Sequence, residues 1–227
     1  MEDSPRKVIA RDDWEKMLNA VHIRKQDMNK LVMNFLVHEG YDKAARDFFE
    51  ESGTQPDINV ETMPTRAAVK WAILSRKLEE AYKILLSSYP QVFEHNTLPL
   101  FHVQQQRYIE LIRNGMDEEA LEFGQEYLLP CVETNPELQK EVERSSALLA
   151  FKDPSNYPVG ELLGRSHLLE TVNEVNVAIL AFEGHNEKDP KLVDLLKKLI
   201  WVQEELHKKA AYPHINLSSG ILEDPVI

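Results

Sequence analysis

The side chains in this 227-residue chain best equipped for catalysis or metal binding are eight histidines, one cysteine and several pairs of adjacent glutamates. A helical metal site needs two histidines three or four residues apart on one face. No two stand so, and His95 and His102, seven apart, have Pro99 between them. Cys131 would act as a nucleophile only with a histidine brought beside it by the fold, since no neighbour in sequence lowers its thiol pKa. Glu79-Glu80, Glu118-Glu119 and Glu204-Glu205 fall on the outward sides of predicted helices, where solvation accounts for them. No GxGxxG turn, phosphate-binding loop or GxSxG elbow occurs. Catalytic, cofactor-binding and metal-binding residues are accordingly expected to be absent. Only a deep polar pocket in which scattered titratable groups converge would revive an enzymatic reading.

Composition narrows the partners. A net charge of −12 opposes binding to a phosphate backbone, and the basic run Arg24-Lys25 is too short to reverse it, so nucleic acid is not an expected partner. No run of about 18 apolar residues is present, and the opening MEDSPRK lacks an apolar signal core, so neither a membrane span nor a secretory leader is expected. One cysteine permits no intrachain disulfide and suits a reducing compartment, which makes a cytoplasmic and nuclear location the expectation.

With eight glycines and no alternating β-branched runs bounded by turns, helix is the only period that repeats, and an all-α fold is predicted. GYDKAARDFF at 40–49 returns as GMDEEALEF at 115–123, with a weaker copy, RKLEEAYKI, at 76–84. The alanines at 45, 81 and 120 are 36 and then 39 residues apart, a spacing typical of stacked helical hairpins. In each copy a turn residue ends one helix and a small residue five positions later marks where two helices come closest.

Along the chain, Asp12 or Asp13 is placed to cap a helix carrying Trp14, Met17, Leu18 and Val21. Asp27 is placed to cap a second, with Met28, Leu31, Val32, Phe35 and Leu36 on one stripe, and a third carries Tyr41, Ala44, Ala45, Phe48 and Phe49. Two helices of three turns cannot order themselves on such a small core. They need either a second copy, forming a four-helix bundle, or the rest of the chain. Beyond Pro56 and Pro64 an array of hairpins opens with Ala68, Val69, Ala72 and Ile73 and continues with Leu78, Ala81, Tyr82, Leu85 and Leu86 as far as Pro90. Its longest helix is predicted over FHVQQQRYIELIRNG, 101–115, with Phe101, Gln105, Tyr108, Ile109 and Ile112 on one face. Gln105 in that stripe is either bonded to a neighbouring backbone group or a contact to a partner.

A helix from near Met116 ends at Pro130, another runs over 137–151, and DPSNYP at 153–158 is the predicted break between two lobes. Beyond it, Val172, Val175, Ala178, Ile179 and Phe182 share a helix closed by Gly184. Asp189-Pro190 reads as the N-cap and first residue of the last helix, which carries Leu192, Leu195, Leu196, Leu199, Ile200 and Leu206 and stops at Tyr212-Pro213. Residues 1–10 and the tail beyond 213 are expected to be loosely held.

These residues resemble a known family over nearly the whole chain. The pattern Leu31-Val32-x-x-Phe35-Leu36-x-x-x-Gly40-Tyr41-x-x-Ala44-Ala45-x-x-Phe48-x-x-Glu51 is similar to the LisH motif, a dimerising helical hairpin. The block containing LEEAYKILLSSYP and FHVQQQRYIELIRNGMDEEALEF resembles a CTLH domain, and SALLAF at 146–151 with KLVDLLKKLIWVQEEL at 191–206 resembles a CRA domain. The implied boundaries are an N-terminal segment with one short helix at 1–24, LisH at 25–57, CTLH at 63–120, an overlapping CRA at 116–213 and a mobile tail at 214–227.

In this LisH-CTLH-CRA family the resemblance implies a non-catalytic scaffold of the multi-subunit GID/CTLH RING-type E3 ubiquitin ligase. Its expected partners are sister LisH-CTLH-CRA subunits, including RING-type ones, and an armadillo-type subunit. The family alternative is a LisH-dimerising adaptor in cytoskeletal or trafficking complexes. The resemblance assigns homo- or hetero-dimerisation to Leu31, Phe35, Leu36, Tyr41, Phe48 and Phe49, with Leu195, Leu199 and Val202 from a last helix returning toward the hairpin. It assigns a second partner face to Phe101, Gln105, Tyr108, Ile109 and Ile112. Two positions depart from the family pattern. Arg76 stands where glycine is usual, at a cost of about 1–2 kcal/mol if the site is left-handed, and Gly124 stands where alanine is usual, at about 1 kcal/mol.

Overall fold

Helix dominates the computed structural model, which describes residues 6–57, 60–151, 154–185 and 189–225. Its elements begin with strand β1 (Lys7–Val8) and helices α1 (Arg11–Asn19), α2 (Lys25–His38) and α3 (Asp42–Ser52). Then come α4 (Met63–Leu74), α5 (Leu78–Ser88), α6 (Pro90–His95), α7 (Leu98–Arg113) and α8 (Asp117–Phe123). A π-turn at Gly124–Leu128 leads into α9 (Leu129–Thr134), followed by α10 (Gln139–Ser146), α11 (Arg165–Phe182) and α12 (Lys191–His207). Strands β2 (Ala210–Ala211), β3 (His214–Asn216) and β4 (Ile221–Glu223) close the chain.

The elements fall into two units. One holds α4 to α11 together with the turn Gly40–Asp42; the other holds α1, α2, α3, α12 and the strands. In the first, α5 packs on α4 and α7, and α11 packs on α4 and α7, so the hairpin array closes into a ring of four helices. Its interior is filled by Ile73, Leu85, Val103, Val175 and Ile179, among others. Buried Arg66 donates to Asn176 Oδ1 at 2.9 Å and ties α4 to α11. The opposite side of α7 lines a second cluster with Ala120, Leu128, Leu138, Val142, Leu148 and Leu162.

The repeat has a physical basis. Gly40, Arg76 and Gly115 are all in the left-handed region, with φ of 72°, 60° and 73°, and the alanine five residues after each is buried. At Arg76 and Gly115 the same paired bonds close the preceding helix: Arg76 N–H to Ile73 O and Lys77 N–H to Ala72 O, Gly115 N–H to Ile112 O and Met116 N–H to Leu111 O, all at 2.8–3.0 Å.

Several expectations are corrected. Pro154–Asn156 and Pro158–Leu163 are 3-10 turns inside the first unit, so 153–158 separates no lobes; Asp153 lies outside the described residues. Pro130 falls in the first turn of α9, where its missing N–H costs nothing, and the chain stays helical past it to Thr134. None of the three expected acidic caps closes its helix: α1 and α2 have no side-chain cap, and Asp27 pairs instead with Arg24 at 2.8 Å. Of the N-terminal segment, Met1–Pro5 lie outside the described residues, whereas Lys7 and Val8 pair in parallel with Ala210 and Ala211. The tail is not loose, because β3 and β4 form an antiparallel hairpin in register Ile215 to Leu222. The amide of Gln203 acts as a further strand partner for it, accepting from Ile215 N–H at 2.8 Å and donating to Ile215 O at 3.2 Å.

Candidate assembly surface

In α2, steps of about 100° per residue place two apolar sets on opposite sides. Met33, Asn34, Val37 and His38 are buried. The set expected to dimerise, Leu31, Phe35 and Leu36, lies on the other side and is only half-covered, with Met28 exposed at its end. On α3, Ala45 is buried, Phe48 half-buried and Phe49 exposed. Tyr41 belongs to the turn of the other unit, where its exposed ring lies 4.7 Å from Lys70 Nζ.

The last helix returns to the hairpin, as α12 packs against α2. Its N-terminus is held from afar: Asn34 Oδ1 accepts from Lys191 N–H at 2.9 Å, while Asn34 Nδ2 donates to Asp57 Oδ2 at 3.2 Å. Asp189, expected as the cap, pairs with Lys197 instead. Asp57 also receives Lys191 Nζ at 2.8 Å. Burial works against the Asp57 carboxylate, but Lys191 and Asn34 prevail and hold its pKa below the usual range.

Although α12 reads LLKKLIWV through its middle, it buries none of its 17 residues. Leu195 is 46% and Val202 48% exposed, Leu199 is half-buried, and Leu196, Ile200 and Trp201 are exposed as well. Met17, Leu18, Val21 and Ile23, on and just after α1, add further uncovered apolar surface in the same unit. Patches of this extent mark surfaces that meet another protein. Sequence reasoning missed Asn34, whose one signal is a polar residue within an apolar helix, and Trp201, which lies off the predicted stripe.

The second expected face needs correcting. Phe101, Gln105, Tyr108, Ile109 and Ile112 are all buried, and the four apolar ones are core residues of the chain's own second cluster. Gln105 donates to the Glu141 carbonyl at 3.1 Å, the backbone-bonded role open to it. What α7 offers on its outer side is an open apolar groove of about 680 Å³, floored by Ile84, Leu111 and Phe123 and rimmed by the ion pairs Arg76–Glu110 and Arg107–Glu79. Arg107 lies over the rings of both Tyr82 and Phe123.

Titratable groups do converge in one pocket of about 320 Å³, lined by His102, Glu141, His167, Glu170 and Glu174 among others. Most are paired with one another: each ring nitrogen of His102 meets a carboxylate and His167 Nδ1 lies 3.3 Å from Glu170, while His167 Nε2 is buried without a hydrogen-bond partner among the described residues. Burial raises the Cys131 thiol pKa, and its Sγ donates to Tyr127 O, so it is no activated nucleophile. Among the described residues no cluster of ligand side chains is arranged to hold a metal ion, and no helix is long and apolar enough to cross a membrane.

Comparison with known proteins fits this layout. The family described as CTLH/CRA C-terminal to LisH motif domain matches residues 62–207, and LisH matches residues 26–52. A protein from Arabidopsis thaliana named Protein GID8 homolog is 54% identical over 221 residues, covering 97% of this chain and 90% of the relative. The glucose-induced degradation protein 8 homolog of Dictyostelium discoideum is 41% identical, covering 94% of this chain and 93% of the relative. A more distant relative in Schizosaccharomyces pombe, GID complex subunit 8, is 27% identical, covering 88% of this chain and 87% of the relative.

Proposed function

The chain belongs to the LisH- and CTLH-bearing family of glucose-induced degradation protein 8 homologs, and on that premise we propose that it is a non-catalytic scaffold subunit of a GID/CTLH RING-type E3 ubiquitin ligase. In this role it promotes ubiquitin-dependent degradation by joining subunits rather than by chemistry of its own. Its partners are sister LisH-CTLH-CRA subunits, RING-bearing ones among them, and an armadillo-type subunit, within the cytoplasm and nucleus.

The observation that carries the reading is α12: a strongly apolar helix docked on the LisH hairpin that buries no residue within the chain. The half-covered side of α2, with Leu31, Phe35 and Leu36, and Phe49 on α3 expose further surface of the same character. A second LisH subunit, identical or sister, would bury both sets in a helical bundle.

The test replaces Leu195 and Val202 together with Asp and measures mass by light scattering. The expected outcome is loss of the assembled mass with the helical circular dichroism retained. An assembled mass unchanged in the folded variant would remove the interface. Affinity purification of the wild-type chain from native extract is expected to bring down RING-bearing subunits; recovery of cytoskeletal or trafficking proteins without them would favour the LisH adaptor instead.

A further inference from the structure

A neutral imidazole has one N–H and one lone pair, so it can donate to only one of two flanking carboxylates; at its other nitrogen, lone pair would face lone pair. His102 on α7 is flanked at both: Glu174 of α11 at Nδ1, and Glu141 of α10 at Nε2 at 2.9 Å. The ring itself is largely enclosed, 13% exposed, while the two carboxylates reach it from the surface. We propose that His102 is carried as an imidazolium and serves as a charged clip that holds α10 and α11 to α7, so that this junction loosens when the ring gives up its proton.

The surroundings favour the charged ring. Besides Glu141, α10 presents Arg144, which is already paired with Glu161 of the 158–163 segment. Besides Glu174, α11 presents His167 and Glu170, which face each other. From α7 itself only the neutral Gln105 joins the pocket, and its bond to the Glu141 carbonyl seats α10 from a second point. Three carboxylates and a single guanidinium therefore surround the two imidazoles. Burial by itself would lower the His102 pKa, but the bonds and charges of Glu174 and Glu141 outweigh it and hold the value above the ordinary one.

The sign follows from linkage. A histidine that binds its proton more tightly when folded contributes stability that is complete below its unfolded value of about 6.5 and is lost as pH rises through the folded value. The clip thus acts below the folded value, which lies above the ordinary one, and its loss above that value frees one of the two carboxylate contacts.

The experiment follows the His102 ring protons by NMR in the full chain, assigned with His102→Gln. The expected midpoint lies above that of the same ring in the urea-unfolded chain, and it falls in the Glu141→Gln/Glu174→Gln variant and in each single variant. The melting temperature of the wild type should also fall more than that of His102→Gln as pH is raised above about 6.5. A native midpoint at or below the unfolded one, or a midpoint unmoved by the glutamine replacements, overturns the clip.

Discussion

At position 76 an arginine holds the left-handed backbone that glycine holds at 40 and 115, the one non-glycine residue with positive φ among those described. The strain costs about 1–2 kcal/mol. Against it stands the guanidinium, which pairs with Glu110 of α7 and donates to Leu163 O at 2.9 Å, and bonds to charged groups contribute about 1.5–3 kcal/mol. Arg76→Gly is therefore expected to lower stability by about 1 kcal/mol in denaturant unfolding, because the lost contacts outweigh the relieved strain. In a Glu110→Ala background the same change should shrink to about zero, and a full-sized loss there would contradict the pairing. Gly124 is a second residue-scale case. It opens the π-turn with right-handed φ of −61° and ψ of −41°, but an added Cβ would lie 3.2 Å from the buried ring of Tyr108, whose hydroxyl is held by Ser146. Gly124→Ala should thus leave stability unchanged within about 0.5 kcal/mol, since a helix-propensity gain of about 1 kcal/mol is offset by crowding. The unusual backbone at 76 could be anticipated because the closing bonds of a helix are local; the partners of Arg76, 34 and 87 residues away, could not.

Elements were legible where one stripe met one core, and misread where a helix has two apolar sides. α2 shows only one of its sides in a periodicity argument, yet Met33 and Val37 are buried opposite Leu31, Phe35 and Leu36. The resemblance implies a partner face on α7, yet that apolar stripe is enclosed by the chain's own helices from α8 to α10. Docking of α12 depends on Asn34, 157 positions away from the amide it caps. Asn34→Ala is expected to cost about 2 kcal/mol, because it removes a helix cap and strips a buried network of its centre. Hydrogen exchange at the first turn of α12 should accelerate in that variant, while α11 exchanges as before. Asp57 adds an acid limb: with its folded pKa depressed, its contribution is present above the unfolded value of about 3.9 and is lost as pH falls through the folded one. The start of α12 should loosen over that acidic range in the wild type and not in Asp57→Asn.

For the whole molecule, the two units differ in how they are stabilised. The unit of α4 to α11 contains two well-filled clusters, whereas α1 and α12 of the other hold no fully buried residue. If a second subunit completes the latter, its melting should depend on protein concentration, and that of the former should not. The tryptophans separate the two: Trp14 and Trp201 lie in one unit, and Trp71, 68% exposed, in the other. Trp71→Phe leaves fluorescence from the partner-dependent unit alone, and its transition should drop by a few degrees for each tenfold dilution, about 1.4 kcal/mol of association free energy. The Trp14→Phe/Trp201→Phe variant should show no such shift. Equal behaviour of both probes would mean that the exposed surface of α12 needs no partner.

From its order of residues alone, this chain determined that it is helical, where its hairpins turn, which alanines after those turns are buried and that it carries no familiar catalytic motif. Those properties rest on periodicity and on turns closed within six residues. Only the tertiary structure decided which of the apolar stripes would be enclosed, that α7 is core while α12 stays open, that an asparagine in one helix caps another, and that His102 meets two glutamates. Enclosure depends on what lies opposite a side chain, and partners such as those of Gln105 and of the Lys191 amide, 36 and 157 positions away, are beyond the reach of any local pattern.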